Sequence, residues 1–251
     1  MTARPSEHQL ACATLTWLAE PAHPLLGALL QVLPPAEVLA AIRFGTLPAG
    51  TAGALGPAQT AGLRVALARW QERLPAIHPG TDLARHAARG IRLVCPGDPG
   101  WPAHLDDLGA ARPYALWVRG PADLGSYAAR SVAIIGARAA TAYGIHVCTE
   151  VAATLAASGQ TIVSGGAYGI DAAAHRAALA ADGSTIAVLA CGPDIPYPAS
   201  HRDLLDAIPS RGAVISEWPP GTPPARSRFL LRNRIMACSL GVHIRAHGAS
   251  S

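Results

Sequence analysis

TIVSGGAYGIDAAAHRAAL, Thr161 to Leu179, is the stretch whose reading decides the fold. Three β-branched residues, Thr161 to Val163, run into Ser164, Gly165 and Gly166, and Gly169-Ile170-Asp171 then opens an Ala-rich helical run. A strand that hands over to a helix through glycines brings bare backbone N–H groups and the positive end of the helix to one point. In open α/β sheets such turns stand at the carboxyl edge, where ligands bind. The stretch therefore predicts one unit of a doubly wound sheet. It also raises the question of what comes so close to its backbone.

Working outward, the same period repeats. SVAIIG (131–136) reads as a buried strand and AYGIHVCTEVAATLAASG (142–159) as a helix stopped by glycine. STIAVLACG (184–192), PASHRDLLDAI (198–208) and GAVISEW (212–218) continue as strand, helix, strand. The first two strands begin about 30 residues apart, the length of a βαβ crossover unit. Continuous apolar strands imply a parallel sheet covered on both faces. The predicted class is α/β, a Rossmann-like doubly wound parallel sheet.

The N-terminal part differs in kind. HQLACATLTWLAE, LLGALLQVL, PAEVLAAIRF and TAGLRVALARWQERL place apolar residues at helical spacing, with Pro or Gly between them. This predicts a small helical domain over 1–90 and the Rossmann-like domain over 91–251. Short strands are expected at Arg92 to Cys95 and within PYALWVRG (113–120), and a last one at Val242 to Arg245.

All 20 basic residues are arginine, and the formal charge is +4. After Glu217 the chain has no acidic residue, while Arg226, Arg228, Arg232, Arg234 and Arg245 lie there. Such a stripe suits a polyanion, though a solvated surface fits it equally well. The five cysteines are scattered, and none forms a Cys-x-x-Cys pair. That argues against a zinc site or a disulfide framework and for a reducing cytosol. No apolar run approaches the ~20 residues of a membrane span, and the N-terminus lacks the pattern of a signal peptide. A soluble, cytoplasmic protein without metal or cofactor is expected.

Three loops meet at the predicted sheet edge. GARAATAYG (136–144) is not a Gly-x-Gly-x-x-Gly fingerprint, but it sets Arg138 two residues past its strand, within reach of a phosphate. SGGAYG (164–169) offers backbone donors. CGPDIPYP (191–198) is a stiff, proline-rich neighbour. Asp171 reads first as a carboxylate that steadies a helix start, worth ~0.3–1 kcal/mol. His175, one turn later, reads as a structural hydrogen-bonding residue, since no nucleophile or metal-ligand spacing accompanies it. In ARSRFLLRNRI (225–235), Arg228 and Arg232 share a helix face and repel unless an anion lies across them. Trp218 and Phe229 are candidate stacking surfaces for a base, with burial in the core as the other reading of Phe229.

In this order, VAIIGARAATAYG, IVSGGAYGIDAAAHRAAL, TIAVLACGPDIPYP and SEWPPGTPP…FLLRNRI resemble the DprA/Smf family of DNA-processing proteins. The resemblance runs from about Arg92 to Ile235. It implies a protein that is not an enzyme. It also implies that the protein binds single-stranded DNA in a basic pocket, forms a homodimer and loads the RecA recombinase in transformation and recombination. The residues it places at the DNA are Arg138, Ser164, Gly165, Gly166, Tyr168, Gly169, Arg232, Asn233 and Arg234. Asp171 and His175 are left to hold the helix start. Tyr168 stands where the family usually carries a basic residue; tyrosine stacks on a base but does not neutralise a phosphate. The sequence after RNRI does not continue in the family's manner, which implies a truncated or altered tail that includes Arg245. Three other readings stay open: a nucleotide-directed phosphoribohydrolase-like enzyme, a dinucleotide-dependent oxidoreductase and a non-functional relative. The first lacks its Pro-Gly-Gly-x-Gly-Thr motif here, and the second its glycine fingerprint.

Overall fold

A computed structural model of the chain describes residues 4–55, 57–121, 123–238 and 243–246. Helices α1 (Glu7–Leu18), α2 (Pro24–Val32), α3 (Pro35–Phe44), α4 (Thr51–Ala54), α5 (Pro57–Arg73) and α6 (Pro79–Ala87) come first. Ser6 starts α1 with a reciprocal cap, its Oγ accepting from Gln9 N while the Gln9 side chain accepts from Ser6 N. Proline at the first helical position starts α2, α3 and α6. The apolar stripes of these helices close on Leu15, Leu18, Leu29, Val38, Ile42 and Trp70.

Strands β1 (Ile91–Val94) and β2 (Leu116–Arg119) follow, then α7 (Leu124–Ala128), β3 (Ser131–Gly136), α8 (Ala142–Ala157), β4 (Thr161–Ser164), α9 (Ile170–Ala180), β5 (Thr185–Val188), α10 (Arg202–Ala207), β6 (Ala213–Ser216), α11 (Arg226–Cys238) and β7 (His243–Ala246). They form one seven-stranded sheet in the order β1-β2-β6-β5-β4-β3-β7. The five strands from β6 to β7 are parallel, as expected of a Rossmann-like sheet. The sheet as a whole is mixed, because β1 and β2 join it antiparallel at the β6 side.

Alternation along the strands covers both faces. Ile162, Ala187 and Val214 pack under α8, α9 and α10, whereas Val163, Ile186, Val188 and Ile215 pack toward α7 and α11. The same alternation fixes the helical region. Ile91, Leu93, Ala115 and Trp117 face Cys12 and Ala13 of α1, while Val94, Leu116 and Val118 face the opposite core. Among the described residues no helix is long and apolar enough to cross a membrane. The last strand lies at His243–Ala246 and pairs with β3, with His243 opposite Ala133; Val242, expected to begin it, is outside the described residues.

Candidate nucleic-acid interface

The loops that leave β3, β4 and β5 meet the first turns of α11 at the carboxyl edge of the parallel sheet. Glycine is required there for internal reasons. Gly169 has φ +73°, and a Cβ on it would overlap the carbonyl oxygen of Ala137. A Cβ on Gly165 would overlap the guanidinium of Arg232. What approaches the backbone of Ser164 to Gly169 so closely is therefore the protein's own arginine.

Arg232 is buried. Its Nη1 donates to the carbonyls of Gly165, at 2.8 Å, and Val188, and its Nε donates to Oδ1 of the exposed Asn233 at 3.2 Å. The guanidinium so ties the ends of β4 and β5 to α11. Burial lowers its pKa to about 10, with Asp171 acting in the opposite direction, so it remains a cation at neutral pH. Asp171 supplies the anion of the loop: Oδ2 accepts from the amides of Gly165 at 3.2 Å and Ala167 at 3.3 Å. Burial pushes this carboxyl above its usual range, against the pull of Arg232 and the two amides. Two donors that the sequence offers to a phosphate are thus engaged from within. Ser164 is turned inward too, its Oγ donating to Ile134 O at 2.6 Å. Gly166, with φ +71°, is buried against Leu189 and Leu205.

His175 has no exposure, and its Nδ1 lies 2.7 Å from Thr185 Oγ1. The Thr185 hydroxyl donates its single proton to Ile162 O at 2.8 Å, so the imidazole Nδ1 is the protonated donor. Burial lowers the His175 pKa to about 3, which keeps the ring neutral.

Arg234 forms a two-pronged pair with buried Glu217: Nη1 donates to Oε2 at 2.6 Å and Nη2 to Oε1. Its remaining contacts are the carbonyls of Ala111 and Leu231, both at 2.9 Å. Burial raises the Glu217 carboxyl above its ordinary range, with Arg234 opposing. Arg228 pairs with Glu20 of the helical region and sits 5.7 Å over the ring of Trp218, whose Nε1 donates to Glu20 Oε2 at 2.7 Å. The repulsion expected between Arg228 and Arg232 is relieved by these internal acceptors. Trp218 is buried, which removes it from the stacking surface expected of it.

The surface groups lie beside this frame. Arg138 is exposed, and its guanidinium stands 5.3 Å over the ring of Phe229. The Phe229 ring lies 5.5 Å from that of Tyr197. Tyr168 projects from the glycine loop against His201, at 4.8 Å, and its hydroxyl is 2.9 Å from Ser200 Oγ. Arg138, Gly165, Ala167, Tyr168, Tyr197, Pro198 and Phe229 line a single pocket. Tyr168 and Tyr197 are about half exposed, at 49% and 42%. Of the residues proposed from sequence, Arg138, Tyr168 and exposed Asn233 are at the surface, while Arg232 and Arg234 form its support. Sequence reasoning does not reach Tyr197. Its only signal there is an aromatic residue in a proline-rich loop at the strand edge.

This chain matches the family model described as DNA recombination-mediator protein A over residues 92–246, a range that includes the residues of β7. The expectation of a tail foreign to the family after Ile235, one that includes Arg245, is corrected for 236–246. A putative DNA processing protein DprA of Mycobacterium tuberculosis is 44% identical over 237 residues, covering 90% of this chain and 57% of that protein. Bacillus subtilis DNA processing protein DprA is 32% identical, covering 71% of this chain and 58% of its own length. The chain thus spans less than two thirds of either relative. Among solved structures, that of Streptococcus pneumoniae DprA is similar with a TM-score of 0.67 and 25% identity, covering 98% of this chain and 79% of that one. A Helicobacter pylori DprA structure, described for its single-stranded DNA binding mode, has a TM-score of 0.53 and 32% identity, covering 58% of this chain and 65% of that one.

Proposed function

The chain belongs to the DNA recombination-mediator protein A family, and on that premise we propose that it binds single-stranded DNA at the carboxyl edge of its parallel sheet. The observation that carries this reading is the pocket in which exposed Arg138 adjoins Tyr168, Tyr197 and Phe229. A cation beside three aromatic rings complements what a single strand presents, a phosphate next to an unstacked base. The single-stranded DNA binding described for the H. pylori relative supports it. In this reading Arg138 meets a phosphate, and Tyr168, Tyr197 and Phe229 meet bases. Ser164, Gly165, Gly166, Gly169, Arg232 and Arg234 hold the shape of the pocket, and Asn233 lies on its α11 side. The protein performs no chemistry; it holds a strand in the cytoplasm and, as a homodimer, passes it to the RecA recombinase. Fluorescence anisotropy of a labelled oligo-dT, with duplex as competitor, tests the assignment. Preference for the single strand that weakens in Arg138→Ala and Tyr197→Ala is expected. Unchanged affinity in both variants would overturn it.

A further inference from the structure

Cys12 and Cys95, 83 positions apart in the chain, come together where α1 crosses the end of β1. His8 lies one helical turn before Cys12 on the same face of α1. Its Nε2 is 3.7 Å from Cys12 Sγ, and a ring nitrogen of His8 and the two Sγ atoms all lie within 4.8 Å of one another. This is the one such donor cluster among the described residues.

These separations fit a metal ion. With metal–nitrogen bonds of about 2.0–2.1 Å and metal–sulfur bonds of about 2.3 Å, tetrahedral angles set nitrogen and sulfur ~3.6 Å apart and two sulfurs ~3.8 Å apart. The observed 3.7 Å between Nε2 and Sγ already meets the first requirement. One imidazole with two thiolates selects zinc and its neighbours over calcium or magnesium. Both cysteines are fully buried, whereas His8 is only partly so and marks the way in from solvent.

We propose that His8, Cys12 and Cys95 form a zinc-class metal site that fastens the first helix to the first strand. Binding displaces one proton from each thiol to solvent and exchanges the His8 Nε2 contact with Pro96 O, at 3.0 Å, for a metal bond, with Nδ1 carrying the imidazole proton. Water completes the tetrahedron. The site lies in the wall between the helices and the sheet, away from the DNA pocket, and its role is to brace that wall.

The test uses the untagged full chain, reduced with a phosphine and titrated with Co²⁺. The expected result is one equivalent bound, with a thiolate-to-cobalt charge-transfer band in the near ultraviolet and intense tetrahedral bands in the visible. Zn²⁺ should then bleach both and raise the Tm. His8→Ala leaves the two buried thiols in place and should fold. It should bind cobalt at least about 10-fold more weakly, since even an outer-shell partner is worth that much, and zinc should no longer raise its Tm. Absence of the charge-transfer band in the wild type, or equal cobalt affinity in wild type and His8→Ala, overturns the proposal. So does an unaltered band in Cys12→Ser.

Discussion

Replacing Arg232 by alanine separates the two roles that an arginine beside the proposed DNA pocket can play. Its Nη1 serves the carbonyls of Gly165 and Val188, and its charge faces Asp171. The truncation leaves buried carbonyls without their donor, each worth about 1–3 kcal/mol, and a buried carboxylate without its cation. Asp171 attracts the guanidinium through space while its own hydrogen bonds go to the loop amides, so the two lost carbonyl bonds set the scale. Arg232→Ala should therefore lower unfolding stability by about 2–6 kcal/mol, a large part of what a domain has. Urea denaturation followed by tryptophan fluorescence reads this as a fall in midpoint at constant slope. Arg138→Ala is the control. Its exposed side chain makes the cost in stability no more than about 0.5 kcal/mol, while the dependence of log affinity on log salt should flatten by ~0.7 for the single phosphate it no longer neutralises. If Arg232→Ala instead keeps the wild-type midpoint and loses DNA affinity with a flattened salt slope, the guanidinium reaches the phosphates and the account of a buried brace is refuted.

Three further outcomes follow from the same geometry. Tyr197→Ala and Phe229→Ala should each weaken oligo-dT binding by about 1–3 kcal/mol with the salt slope unchanged, because stacking releases no counterions; a changed slope would place these rings elsewhere. Gly165→Ala should cost about 1–3 kcal/mol by overpacking against Arg232. It should cost much less in an Arg232→Ala background, and simple additivity in that double-mutant cycle would sink the proposed packing. His175 is neutral when folded down to a pKa of about 3, whereas the unfolded chain takes up its proton near the ordinary 6.5. Its contribution is therefore complete above pH 6.5 and falls as the pH drops below that value. Between pH 7.5 and 5 the wild type should lose about 2 kcal/mol from this group alone, and His175→Gln should show a smaller loss across that interval in urea titrations. Parallel pH profiles would contradict the assignment.

The parallel half of the sheet was legible because its strands are apolar throughout and recur at the crossover period. The antiparallel pair was legible only as two short strands. Ile91–Val94 and Leu116–Arg119 are separated by a Pro/Gly-rich stretch, and nothing in their pattern says that they close onto β6. At the site, residue type and position were readable, but side-chain direction was not. Arg138, Arg232 and Arg234 are chemically identical, and only the packing of α11 against the loops turns two of them inward while leaving the first outside. Asp171 lies in the first turn of α9, yet its two amide partners come from the preceding loop, a contact that depends on the turn at Gly166. The approach of Cys12 to Cys95 crosses from α1 to β1, a distance in sequence that spacing rules for metal ligands do not cover.

Strands β1 and β2 wear a different lining on each side, Trp117 and its neighbours toward the helices and Leu116 and Val118 toward α7 and α11. Only Ala88, Arg89 and Gly90 lie between α6 and β1. The N-terminal helices are therefore one wall of a shared room rather than a bead on a string. Gene shuffling within the family faces a constraint as a result. An exchange of helices between relatives succeeds only if the incoming α1 brings side chains shaped for the resident Trp117, and a crossover that cuts between helix and strand parts surfaces that pack as a set.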